Sequence, residues 1–152
     1  MERISNSDLP AGLMETMLNV EAYVAKFGLD KTQLNLMKTR VSQINGCAYC
    51  LDMHFKEAVH AGEDPIRLIS LPAWRETPYY TPQEQAVLAF AERLTEKPGN
   101  EHSDDIHDEL NKFFSKQEIA CLTLAVTQIN SWNRITRSFG TVPGNYRVKE
   151  IR

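Results

Sequence analysis

The chain has 152 residues, 42% hydrophobic and 24% charged, with a formal net charge of −3. That is length enough for one domain with its own core, and the charge argues against non-specific attraction to nucleic acid or anionic membrane. No apolar stretch approaches the roughly 20 residues of a membrane-spanning helix, and Met1 to Leu9 lack the layout of a signal peptide. The three cysteines, two of them as C-x-x-C, do not make a secreted disulfide framework, so a reducing cytoplasm is the expected compartment.

From Ala11 to Phe27, Leu13, Met17, Val20, Val24 and Phe27 recur at spacings of three and four, which predicts an amphipathic helix with Gly28 as its C-cap. Asp30 opens a second helix as N-cap, with Leu34, Met37, Val41 and Ile44 as its stripe. The stripe fades at Asn45-Gly46, and the flanks do not alternate as strands would, so this pair reads as a break between helices. Cys47 then stands near the start of a third helix running to about Ala61-Gly62.

Asp64-Pro65 is an N-cap followed by proline at the first helical position, opening a short turn through Ile69. Leu71 to Tyr80 reads as a connector rich in proline and aromatic residues. Thr81 and Glu84 fit a capping box for a helix that carries Val87, Leu88, Ala91 and Leu94 and stops near Lys97-Pro98-Gly99. Ser103 can cap a shorter helix through Phe113. Ser115 and Glu118 repeat the capping box before a long helix that ends at Gly140. No run alternates as a strand, and no fixed-period repeat occurs. The reading is all-α, a single domain over residues 1–152 with 1–8 loose, and such a domain can bury its remaining apolar faces by oligomerising.

The sharpest chemical signal is Cys47-Ala-Tyr-Cys-Leu-Asp-Met-His54. At about 100° per residue, Cys47, Cys50 and His54 fall within a sector of roughly 60° on one helix face. Leu51, Ala58 and Ala61 share that side, while Asp52 and Lys56 point elsewhere. The thiolate is the nucleophile in thiol chemistry. Its charge is favoured at Cys47 by the helix N-terminus and at Cys50 by His54, one turn on, which can take or share its proton. In peroxide reduction the leaving alkoxide must gain a proton, which a histidine beside the attacking thiol can supply. That assigns Cys50 as the attacking cysteine, which becomes a sulfenic acid, and Cys47 as the one that resolves it to a disulfide. A lightly shielded Cys47 sulfur would then receive the external reductant.

Other readings of these residues exist. A C-x-x-C in a helical protein can be inert packing, since free cysteine behaves as a small hydrophobe. Two thiolates and an imidazole also suit zinc, but a closed structural site needs a fourth ligand, and His60, His102 and His107 stand at no matching spacing. Cys121 lies mid-stripe in the last helix and reads as core.

Arg40-Val-Ser-Gln-Ile-Asn-Gly-Cys-Ala-Tyr-Cys-Leu-Asp-Met-His54, followed by Glu57-Ala58 and Ala61-Gly62, closely resembles the core of alkylhydroperoxidase D-like proteins of the carboxymuconolactone decarboxylase superfamily. The resemblance continues through Leu71-Pro-Ala-Trp-Arg75, Thr81-Pro-Gln-Glu84 and Asn130-Ser-Trp-Asn-Arg134, and so covers most of the chain. It implies an all-helical fold assembling as trimers or hexamers and thiol-dependent reduction of hydroperoxides. It implies no metal or organic cofactor, and an external dithiol as reductant, a lipoyl group or a thioredoxin-like protein. Carried over, Cys50 is the peroxidatic cysteine, Cys47 the resolving one and His54 the histidine of a proton relay.

Two positions depart from the pattern. The family's peroxidase glutamate, twelve residues before the first cysteine, is here Asn35, which cannot exchange a proton near neutral pH. A histidine often precedes the second cysteine, and here Tyr49 stands there, a phenol with an ordinary pKa of about 10. Glu57, three residues after His54, is a candidate substitute, or else a solvated helix charge. Trp132 and Arg134 can border the site or serve as core and surface ion pair, and the connector aromatics can line a peroxide pocket or be buried. The rival functions are a decarboxylase-type enzyme acting on a small lactone and a non-catalytic dithiol redox sensor.

Overall fold

Among residues 2–96 and 104–148, those the computed structural model describes, seven α-helices form and no strand does. They are α1 (Leu13–Phe27), α2 (Lys31–Ile44), α3 (Ala48–His60), α4 (Pro65–Ser70), α5 (Pro82–Glu96), α6 (Asp104–Leu110) and α7 (Lys116–Phe139). The capping chemistry is as the sequence indicates. Asp30 Oδ1 accepts from the Gln33 amide at 2.8 Å. Thr81 and Glu84 exchange bonds at 2.8 and 3.2 Å, and Ser115 and Glu118 do so at 2.7 and 3.3 Å.

The differences lie where local propensity meets packing. Helix α1 begins at Leu13 rather than Ala11, because Gly12 adopts a left-handed conformation at its N-cap. Leu71–Glu76 is not plain connector but a 3₁₀ helix. Helix α6 ends at Leu110 and the chain turns through Phe113, whose amide reaches back to the Leu110 carbonyl at 3.0 Å. The stop at Lys97-Pro98-Gly99 and the Ser103 cap lie outside the described residues. The N-terminal segment is docked rather than loose: the Arg3 amide donates to the Phe139 carbonyl at 2.7 Å, and its guanidinium donates to Ser138 O and Arg137 O.

Helix α2 lies at the centre, packed against α3, α5 and α7, while α1 lies on α7 and α6 on α5. The main core joins Met37 and Val41 of α2, Phe90 and Ala91 of α5, and Leu122 and Val126 of α7. A second cluster joins Leu36, Ala58, Leu68, Leu71, Trp74 and Tyr80. The connector aromatics Trp74 and Tyr80 are therefore buried structure, and Tyr79 is exposed. Cys121 is a buried free thiol of the main core.

Candidate active site

The turn between α2 and α3 sets the site. Asn45 closes α2, Gly46 takes a positive φ of 62° that a residue with a side chain rarely adopts, and the Cys47 amide bonds back to the Ser42 carbonyl at 3.0 Å. Helix α7 grips this turn: Asn45 Nδ2 donates to the side-chain oxygens of Asn130 and Asn133, each at 2.9 Å. The fully buried Asn133 donates in turn to Ser42 Oγ at 3.1 Å. The motif Asn130–Arg134 thus includes a clamp that delivers Cys47 to its position as N-cap of α3. Arg134 folds back onto Asn130 of its own helix, and among the described residues it lines neither cavity.

Cys47 and Cys50 are joined as a disulfide, with Cα atoms 5.3 Å apart. Cys47 Sγ accepts from the Cys50 amide at 3.4 Å, the capping contact that would favour a thiolate at this position. Both cysteines are 1% exposed, so Cys47 is not lightly shielded as the sequence reading has it. The reason is α7: Thr136 Oγ1 lies 3.0 Å from Cys47 Sγ and 3.3 Å from Cys50 Sγ while donating to the Trp132 carbonyl at 2.9 Å. Nothing in the local sequence pattern singles out this threonine, because it reaches the thiols only through tertiary packing.

The two cysteines contribute to different cavities. Cys50 lines one of about 570 Å³ together with His54, Glu57, Met53, Trp132 and Phe139. Cys47 lines another of about 410 Å³, rimmed by Arg3 and Arg137. Tyr49 and Thr136 border both. Trp132 both walls the first cavity and donates from Nε1 to Glu21 Oε1 at 3.0 Å. Asn35 is half-buried, its carbonyl accepts from Thr39, and it is not among the residues lining either cavity. From α1 and α2 the charged groups reaching the larger cavity include the ion pair Glu21–Lys38, at 2.8 Å.

His54 is 4% exposed, and among the described residues neither ring nitrogen has a close hydrogen-bond partner. Its nearest charge contact is Glu57, whose Oε2 lies 3.4 Å from Nδ1. Burial pushes the imidazole below its ordinary value, and Glu57 opposes that shift. Burial alone would raise Glu57, but the contacts from His54 and Tyr146 outweigh it and hold the carboxyl below the usual range. Tyr146 Oη donates to Glu57 Oε1 at 2.5 Å, a partner invisible in the local pattern because it lies 89 residues downstream. His60 is exposed at the end of α3, and His107 packs edge-on against Phe90. His102 lies outside the described residues.

A dithiol and a histidine on one buried helix face define a helical thiol–disulfide protein. Residues 11–93 match the carboxymuconolactone decarboxylase family. The chain is 35% identical over 139 residues to the uncharacterized protein YdfG of Bacillus subtilis (strain 168), spanning 91% of this chain and 95% of that one. A crystal structure of a protein of unknown function from Agrobacterium tumefaciens, described as a candidate antioxidant defence protein AhpD, is 35% identical. It superposes with a TM-score of 0.89 over 96% of this chain and 100% of that one. The debrominase Bmp8, at 16% identity, shares the fold with a TM-score of 0.76 over 88% of this chain and 72% of that one. The chain belongs to the carboxymuconolactone decarboxylase family, as an alkylhydroperoxidase D-like member.

Proposed function

We propose that this protein is a thiol peroxidase that reduces organic hydroperoxides through a Cys47–Cys50 dithiol/disulfide cycle. The observation that carries the reading is the larger cavity, where Cys50, His54 and Glu57 line a largely apolar space of about 570 Å³, a size and character suited to a small organic ligand. The Cys50 thiolate attacks the distal oxygen of ROOH and breaks the O–O bond. Cys50 becomes a sulfenic acid, and the alkoxide takes a proton through His54 and leaves as ROH. The Cys47 thiolate then attacks the Cys50 sulfur, forming the disulfide and releasing water. An external dithiol, such as a lipoyl or thioredoxin-like group, attacks Cys47 from the smaller cavity once the α7 contacts that bury the sulfur open locally. Cys50 leaves as a thiolate, and the carrier's second thiol closes its own disulfide. No resident cofactor takes part, and the cycle suits a reducing cytoplasm and a homo-oligomeric assembly.

Stopped-flow mixing of reduced protein with an organic hydroperoxide tests this. The wild type is expected to form the disulfide and turn over with a dithiol. Cys47→Ser should stop at the sulfenate, and Cys50→Ser should consume no peroxide. Absence of any sulfenate or disulfide in the wild type would remove the peroxidase reading. Stoichiometric oxidation without turnover, across several dithiols, would mark a redox sensor instead.

A further inference from the structure

After α7, the segment around Gly144–Tyr146 forms a strap along the outer side of α3. The Gly144 amide donates to Asp52 Oδ2 at 3.0 Å. Lys56 Nζ, paired with Asp52 at 2.7 Å, donates to the carbonyls of Gly144 and Tyr146 at 3.1 and 3.2 Å. With the backbone held on both sides of Asn145, the Tyr146 phenol reaches Glu57 Oε1 at 2.5 Å. The other oxygen of that carboxylate is the one facing His54 Nδ1.

We propose that Tyr146 is a positioning residue which, through Glu57, holds His54 in the state that supports a thiolate at Cys50. The geometry of this relay stands by itself, while its use in turnover rests on the peroxidase reading above. A carboxylate 3.4 Å from Nδ1 works against the burial that disfavours the charged ring, and so makes the imidazolium easier to reach when Cys50 gives up its proton. An imidazolium one turn from Cys50 favours the thiolate. The Glu57 side chain is 34% exposed, so without the phenol it is free to rotate toward water and away from the ring.

Among the described residues, the other charged groups acting on His54 include the Glu21 carboxylate of α1 and the Lys38 ammonium of α2, which act in opposite directions and pair with each other, and Glu2 of the N-terminal segment lines the same cavity. Around Glu57 they are His54, Lys38 and the Tyr146 phenol, and Tyr49 is the second phenol beside Tyr146. The residues α7 brings to the cavity are uncharged, among them Trp132 and Thr136. Glu57 is therefore the group whose loss leaves His54 without net support.

The test follows the alkylation of Cys50 by iodoacetamide against pH in the Cys47→Ser protein, read by mass on the Cys50-bearing peptide. This readout needs no peroxide. Tyr146→Phe should move the profile up by about one pH unit, a roughly tenfold slower reaction at pH 7. Glu57→Gln should do the same even with Tyr146 in place, and the double variant should shift no further than Glu57→Gln alone. A Tyr146→Phe protein of unchanged melting temperature with the parent profile overturns the proposal, as do shifts that add in the double variant. Should Tyr146→Phe fail to fold, an unshifted Glu57→Gln profile overturns it equally. Shifts as expected in a protein that consumes no hydroperoxide would retain the relay and remove the peroxidase reading.

Discussion

At the residue scale the thiols are governed by contacts from another helix as much as by their own. Thr136 Oγ1 is within 3.3 Å of both sulfurs, and on reduction its hydroxyl can turn from the Trp132 carbonyl to donate to whichever sulfur carries charge. A hydrogen bond to a charged group is worth about 1.5–3 kcal/mol, or about one to two pH units. Thr136→Val keeps the shape and removes the donor, so it should raise the thiolate pKa by about one unit, whereas Thr136→Ser should not. Thiolate absorbance of the reduced protein against pH measures this, and equal titrations for both variants would show the hydroxyl to be a bystander.

At the scale of elements, the buried carboxylate of Glu92 ties α5 to α2 and to the 3₁₀ segment. It accepts from Arg40 at 2.7 Å, from Trp74 Nε1 at 3.0 Å and from Arg75 at 2.7 Å, and it is 6% exposed. Glu92→Ala would leave Arg40 without its carboxylate and should destabilise the protein by about 3–5 kcal/mol in denaturant unfolding. Burial pushes the Glu92 carboxyl up, but Arg40, Arg75 and Trp74 outweigh it and hold it below its ordinary value of 4.5. A depressed carboxyl contributes full stability above its unfolded pKa and loses it as pH falls through the lower folded one. Acid unfolding below about pH 4.5 should therefore be shallower in Glu92→Gln than in the wild type, and identical slopes would contradict this assignment.

At the scale of the whole molecule, the proposed homo-oligomer has a surface to use. Phe55 and Val59, one turn apart on α3, and Ile66 and Ile69 on the neighbouring α4 are all exposed, Ile69 by 72%. Apolar side chains concentrated on adjoining helices are the usual mark of an interface. Sedimentation should give a species of trimer size or larger against the 17.3 kDa chain, and Ile69→Asp should shift it toward the monomer. A wild type that sediments as a monomer would end the oligomer proposal. Among the described residues no helix is long and apolar enough to cross a membrane.

The fold class and the dithiol were legible in the chain because their causes are local. Capping boxes, the break at Asn45-Gly46 and the apolar stripes act within a few residues, and a C-x-x-C followed by histidine one turn later fixes three side chains on one face. The same locality misled at Cys47, where an N-terminal position suggested an accessible sulfur that α7 in fact covers. What only the tertiary structure decided are the partners set by distant segments: Thr136 against both sulfurs, Asn130 and Asn133 on the cysteine turn, and Tyr146 on Glu57. These contacts span 85 residues or more, beyond any periodicity, and they arise because α7 and the strap are packed back onto α3. The roles proposed for Cys47, Cys50 and His54 rest on residue types and spacing along α3 and its N-cap, whereas the surroundings of these side chains come in good part from the end of the chain.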